Sequence, residues 1–292
     1  MSWLAIALVL LSAAIHATWN LLAHSQKVNG AMFLRVSLII GLFGFIPVVM
    51  GELRGDGFPL SVWGWALLTG FLQCFYYLGL TMGYRLGNFS VVYPIGRALP
   101  ILFLALIDVS RGRVLSSLGW LGITLVIIGC MIAPLKSLRD IKLTDYWNQA
   151  TVWILIIMFS TVAYTTVDKL AAELIPTGAG AAARYSVLQS IFTIPFLWVA
   201  LKLTGEPIDK QKGLADWKWS TLFALFVFGS YWLMLWAFQL SPYISYLSAI
   251  RQFSIVIGVV VATIFFREPS PALRITATVA ITLGMICITQ VS

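Results

Sequence analysis

A chain of 292 residues with 60% hydrophobic and only 10% charged side chains cannot cover itself with a water-compatible surface, because soluble domains carry about 25% charged residues. Its net charge of +8 comes from basic residues scattered over short loops, which suits membrane topology and anionic headgroups and excludes a nucleic-acid patch. The composition predicts an all-α integral membrane protein.

Apolar runs broken by Gly, Pro or charge predict ten transmembrane helices, at 3–23, 30–50, 62–83, 89–109 and 117–134, then 150–171, 180–201, 218–240, 242–265 and 272–290. The first begins MSWLAIALVLLSAAIHATW, with no basic leader and no convincing cleavage site, and reads as a retained helix rather than a signal peptide. His16 and Asn20 lie four residues apart on one of its faces. Arg35 sits about one turn inside the second helix, where a long cation snorkels to the headgroups. The third carries Gln73 and the cluster Phe75-Tyr76-Tyr77. In the fourth, Arg97 stands near the middle of VVYPIGRALPILF, one turn after Tyr93 and Pro94. A polar joint at 135–149 separates residues 1–134 from 150–292.

The second half opens with Tyr164 and Asp168 on one face of the sixth helix. Arg184, early in the seventh, is expected to form an ion pair with Asp168, and Gln189 follows as a polar contact. Tyr231 and Trp232 mark the eighth helix, and the ninth carries Tyr246 and Arg251 in YLSAIRQFSIVIG. Cys74, Cys130 and Cys287 fall in apolar segments without metal or redox spacing and read as small hydrophobes. Glycines 64, 70, 79, 83, 119, 122 and 129 read as sites where helices approach closely.

The halves repeat. LSAAIHATWNLLA at 11–23 aligns with FSTVAYTTVDKLA at 159–171, pairing His16 with Tyr164, Thr18 with Thr166 and Asn20 with Asp168. Arg35 then meets Arg184 across a one-residue gap, Pro47 meets Pro195, Tyr77 meets Tyr231, Arg97 meets Arg251 and Gly129 meets Gly284. Five helices per half is an odd number, so the halves insert in opposite orientations. Such inverted repeats place a site near the midplane at their interface.

Five plus five helices, the HATWNLLA stretch and the FREPSP turn before a last Gly-bearing helix resemble the drug/metabolite transporter superfamily. The resemblance is nearest to its ten-helix EamA-like members and covers essentially the whole chain. It implies a basket-shaped solute carrier with a central cavity, driven by an ion gradient or by exchange. The FREPSP turn holds an acid, Glu268, whereas the matching VSRGRVLSS turn has two arginines and none, a departure from the pattern. Of 19 Lys and Arg, eleven follow odd-numbered helices, four follow even-numbered ones (Arg54, Arg111, Arg113 and Lys169) and four lie within spans. The positive-inside rule puts the eleven in the cytoplasm of a bacterial inner membrane and both termini outside. Relatives are more often drawn with both termini inside.

A charge at the midplane costs about 2.5–3.5 kcal/mol on insertion scales, so Arg97 and Arg251 need a partner, a bundle interior or a wet cavity. The plain reading is a pair of structural cations. The functional one is a guanidinium fork for a carboxylate or phosphate, walled by Tyr77, Tyr93, Tyr231, Trp232 and Tyr246. His16 and Asp168 are the proton-coupling candidates, and Asn20, Tyr164, Arg35 and Arg184 are further cavity candidates. No phosphate loop, metal spacing or nucleophile–base pair is visible, which argues against an enzyme, a cofactor or a metal. The expectation is a secondary transporter of a small anionic or zwitterionic metabolite working by alternating access, with substrate and membrane lipids as its partners. Export of hydrophobic or cationic compounds, lipid flipping and a non-transporting scaffold are the alternatives. The residues specify no coupling ion, direction or oligomeric state.

Overall fold

In a lipid core every backbone N–H and C=O must be satisfied within the protein, which leaves an apolar chain of this kind with helices. The computed structural model describes residues 1–26, 29–85, 89–135, 149–208, 213–265 and 272–291, and no strand occurs among them. The helices are α1 Trp3–Gln26, α2 Gly30–Leu53, α3 Leu60–Arg85, α4 Phe89–Ser110, α5 Ser117–Ile132 and α6 Gln149–Ala172. They continue as α7 Ala179–Leu203, α8 Leu214–Leu240, α9 Ile244–Arg251, α10 Phe253–Phe265 and α11 Ala272–Gln290. Eight stretches are long and apolar enough to cross a membrane, with α9 and the start of α10 counting together as one. α4, whose first turns are only partly described, and the 16-residue α5 stand outside that set.

Local signals set the ends. Asn29 caps α2 by accepting from the Met32 N–H at 3.0 Å, and Ser116 caps α5 by accepting from the Gly119 N–H at 3.0 Å. α2 and α7 end alike. Gly55 and Gly205 adopt positive φ (87° and 68°), and the next N–H reaches back to Gly51 and Leu201 respectively, closing a glycine-terminated helix end each time.

α3 packs on α6 and α7, α1 on α8, α9 and α10, α2 on α7 and α8, and α4 on α5, α6 and α9. α5 and α11 meet through glycine: a Cβ on Gly122 would come within 2.6 Å of the Gly284 carbonyl oxygen, and one on Gly284 equally close to that of Gly122. Gly70, Gly79 and Gly129 face similar close approaches, whereas Gly64 faces open space and has no packing role. The outward faces carry Leu42, Phe43, Ile46 and Leu225, an apolar rim suited to acyl chains.

Three expectations need correction. The single helix over 242–265 is broken at Gln252, where i→i−3 hydrogen bonds (Gln252 N–H to Ala249, Ile255 N–H to Gln252) tighten the backbone between α9 and α10. Arg35 does not snorkel: it is buried, and its Nε donates to Ser220 of α8 at 2.9 Å. Lys169, counted above as a loop cation, is buried in α6 and donates to the carbonyls of Phe238 and Ser241 at 2.6 and 2.7 Å. The turn bearing Glu268 lies outside the described residues.

Candidate functional site

The polar residues of α1, α3, α4, α6, α8 and α9 converge on a central cavity with two lobes. One lobe, about 70 Å³, reaches toward α2 and α7 and includes Phe33, Gln73, Tyr77 and Gln189 in its wall. The other, about 80 Å³, reaches toward α4 and includes Arg97, Thr161 and Gln252. His16, Tyr76, Tyr164, Tyr231 and Arg251 line both and form the layer between them. Each lobe admits a few waters or one small functional group.

Arg251 ends α9 beside the break, so its side chain leaves the helix at the cavity rather than within a packed turn. Its Nη2 donates to Ser230 Oγ at 3.1 Å and lies 3.2 Å from His16 Nδ1, while Cζ rests 5.6 Å from the Tyr231 ring centroid. The face of an aromatic ring attracts a cation. Arg251 Nε is buried without an acceptor, and no carboxylate pairs with this guanidinium among the described residues.

Arg97 is built into the helix break. Its Nε donates to Gln252 Oε1 at 3.2 Å and its Nη2 to Ser254 Oγ at 3.0 Å, so α4 is tied to both sides of the α9–α10 junction.

His16 is fixed in one tautomer. Its Nδ1 accepts from Trp19 Nε1 at 3.0 Å and faces Arg251, and both groups only donate. The ring is therefore neutral with its proton on Nε2, and a second proton on Nδ1 would face two donors.

Asp168 is buried behind Tyr231. Its Oδ1 accepts from Thr69 Oγ1 at 2.7 Å, from Tyr185 Oη at 3.1 Å and from Gln189 Nε2, and its Oδ2 accepts from Tyr231 Oη. The expected ion pair with Arg184 is absent. Arg184 Nη2 instead donates to the Asp56 carbonyl at 2.9 Å, with the guanidinium over the Phe58 ring at 4.8 Å. The start of α7 points Arg184 toward the end of α2, whereas Asp168 faces inward.

The remaining candidates divide. Tyr77 lines the first lobe, stacked on Phe33 with centroids 4.6 Å apart, and Tyr164 packs edge-on to both Tyr76 and Tyr231. Tyr246 is absent from the cavity wall; it is buried against α5, where a Cβ on Gly119 would overlap its hydroxyl. Trp232 also stands off the wall, donating from Nε1 to the Ala179 carbonyl at 2.7 Å and stacking on Phe228. Asn20 bonds its own helix through the His16 carbonyl at 2.9 Å, and the Tyr93 side chain lies outside the described residues. Ser230, Gln252, Thr69 and Tyr185 were not singled out from the sequence. Ser230, Gln252 and Tyr185 are the immediate neighbours of the candidates Tyr231, Arg251 and Arg184, whereas Thr69 comes from α3 with no local polar signal.

The sequence matches no established family profile and no curated protein. By fold, 28 chains of solved structures are similar. One, a crystal structure described only as that of a protein, superposes with a TM-score of 0.69 over 98% of this chain and 96% of its own, at 15% identity. At that identity the likeness is one of fold alone.

Proposed function

We propose that this protein is a secondary transporter for a small organic anion or zwitterion, with ten spans in two inverted five-helix halves of the EamA-like kind. One observation carries the reading. Arg251 reaches a central cavity, is held only by neutral groups, and keeps a buried Nε–H without an acceptor. A carboxylate or phosphate oxygen at that point supplies the missing acceptor and the missing negative charge. His16 Nε2–H, Tyr77 and Gln73 offer further polar contacts to such a ligand.

Helix adjacency supports the repeat. Exchanging α1–α5 for α6, α7, α8, α9–α10 and α11 turns the α1–α8 contact into α6–α3, α2–α8 into α7–α3 and α4–α6 into α9–α10 with α1, and each is present. The matched glycine ends at Gly55 and Gly205 support it again. Two lobes sharing one polar layer suit a site that opens alternately to either face.

A second reading, lipid translocation, is favoured by an apolar groove of about 600 Å³ between α2, α7 and α8, which shares Ile40 and Phe228 with the first lobe.

A thermal-stability screen of purified protein against amino acids, organic acids, sugar phosphates, lipophilic cations and phospholipids separates the readings. A ligand at 100 times its Kd stabilises by about 2.7 kcal/mol. The expected result is a raised melting temperature with one anionic class, lost in Arg251→Gln. Stabilisation by lipophilic cations or long-chain lipids alone, equal in wild type and variant, overturns the anion reading.

A further inference from the structure

We infer that Asp168 is a proton-binding site and that Tyr231 links its charge to Arg251, so that anion and proton enter the cavity together. The linkage to an anion rests on the transport reading above; the proton site itself stands on local geometry.

Asp168 is 0% exposed in α6 and has no cationic partner among the described residues. Its four hydrogen bonds come from neutral side chains on three other helices: Thr69 of α3, Tyr185 and Gln189 of α7, and Tyr231 of α8. The groups around it can be named element by element. Tyr185 and Tyr231 are the titratable groups that touch it. Tyr164 of α6 packs on the Tyr231 ring, with Arg251 of α9 over that ring and His16 of α1 against Arg251. Lys169, the next residue in the chain, directs its ammonium to the Phe238 and Ser241 carbonyls and to Glu173 at 3.3 Å. Among the described residues, no group on α4 bonds to Asp168.

The donors around a carboxylate tell what it is built to do. Backbone N–H groups and guanidinium N–H groups only donate, so a site made of them excludes the protonated form. Three of the four donors to Asp168 are hydroxyls, which can turn and accept instead. The fourth is an amide whose Oε1 is buried and partnerless, and a turn of that amide brings an acceptor toward Oδ1. The carboxylate with four donors, and the carboxylic acid with its new O–H on a turned hydroxyl or on Gln189 Oε1, are both satisfied on one backbone. A proton delivered from hydronium onto Asp168 forms the carboxyl O–H and leaves water behind, and the hydroxyl or amide that accepts from the new O–H gives up its own donation to the carboxylate.

Tyr231 carries the linkage. Its hydroxyl is on Asp168 and its ring face is under the Arg251 guanidinium, 5.6 Å from Cζ. With Asp168 ionised, the cavity region holds one buried carboxylate and the two guanidiniums of Arg97 and Arg251. An anion on Arg251 brings a second negative charge near Asp168, and repulsion between the like charges favours a proton on its carboxylate. By reciprocity, whatever factor the anion gives to proton affinity the proton gives to anion affinity.

The test needs no substrate. Infrared difference spectra of the full chain in nanodiscs, titrated over about pH 4 to 9, report a protonated buried carboxyl as a separate carbonyl band. The expected result is a band that appears on acidification in wild type and is missing in Asp168→Asn. In Tyr231→Phe, which loses one donor to the carboxylate, the band appears at a pH higher by about half a unit or more. In Arg251→Gln it moves the same way by less. A wild-type band that survives unchanged in Asp168→Asn overturns the proton site. A band position identical in wild type and Tyr231→Phe, or one that moves with NaCl and not with KCl, overturns the linkage in favour of a structural carboxylate or a sodium site. Because no substrate is used, failure here leaves the anion screen standing, and failure of the screen leaves Asp168 a proton site without its anion.

Discussion

Asp108 and Asp168 are both wholly buried near the ends of their helices, yet backbone N–H groups help hold the first and side chains hold the second. Asp108 of α4 accepts from the backbone N–H groups of Ile244 and Ser245 at 3.2 and 2.9 Å and from Ser245 Oγ at 2.6 Å. These are the open donors of the first turn of α9, where the helix dipole also favours negative charge. Among the described residues, Asp168 has no backbone donor. Two fixed backbone donors, beside the Ser245 hydroxyl, make Asp108 a clamp, which sets where α9 begins and so where Arg251 ends it. Reversible donors make Asp168 adaptable. In one molecule, two carboxylates closed to solvent are given different surroundings by the kind of hydrogen bond around them.

The largest expected effect is at the clamp. Asp108→Ala strands two backbone N–H groups and a hydroxyl, each worth roughly 1–3 kcal/mol when buried and unsatisfied, so a loss of about 3 kcal/mol or more is expected in denaturant unfolding in micelles. Asp108→Asn keeps one acceptor oxygen and should lose about half of that. Asp168→Asn should lose no more than about 1 kcal/mol, because its hydroxyl partners can turn to meet the amide. Equal losses at the two aspartates break the comparison. A smaller effect sharpens it from the other side of α9. Gly119→Ala drives a methyl into the Tyr246 hydroxyl, costing about 1–3 kcal/mol. Tyr246→Phe removes the atom in the way, so the double variant should recover much of the loss; strict additivity of the two changes shows that α9 is not wedged there.

How far the sequence reached depends on whether a cost was local. Arg97 and Arg251 stood out because the expense of a midplane cation is legible from the surrounding window, and both line the cavity. Tyr77 and Tyr231 followed from the alignment that pairs those arginines, His16 and Tyr164 from polar pairs four residues apart on apolar helices, and all four line it too. The break at Gln252 was hidden, since IRQFSIVIG carries no Pro and no Gly at the junction and its hydropathy runs through. Tyr246 was misplaced because what removes it from the cavity is the empty space of a glycine on α5, far away in sequence. Charge alone put Lys169 in a loop, and only tertiary structure supplies the carbonyls that hold it. The partners of Asp168 lie on three helices, a juxtaposition that no spacing encodes.

A third carboxylate, just outside the spans, gives the smallest effect and calibrates the other two. Glu173 sits at the end of α6 with Arg111 at 2.6 Å, Lys169 at 3.3 Å and Arg113 at 3.9 Å. Burial pulls its carboxyl upward, but Lys169 and Arg111 outweigh that pull and hold it below the usual range. A carboxyl depressed in the folded state contributes stability in full above its unfolded value of about 4.3 and loses it as pH falls through the folded value. Water reaches this cluster, so the contribution is at most about 1 kcal/mol. Glu173→Gln should therefore cost little at neutral pH and nothing at a pH below the folded value, and added salt should shrink the difference. At Asp108, held mainly by oriented dipoles with Arg111 as a lesser charge nearby, the loss on substitution should depend less on salt. A salt response of the same size at both positions would mean that formal charge on a partner, rather than the kind of donor, governs buried acids in this bundle.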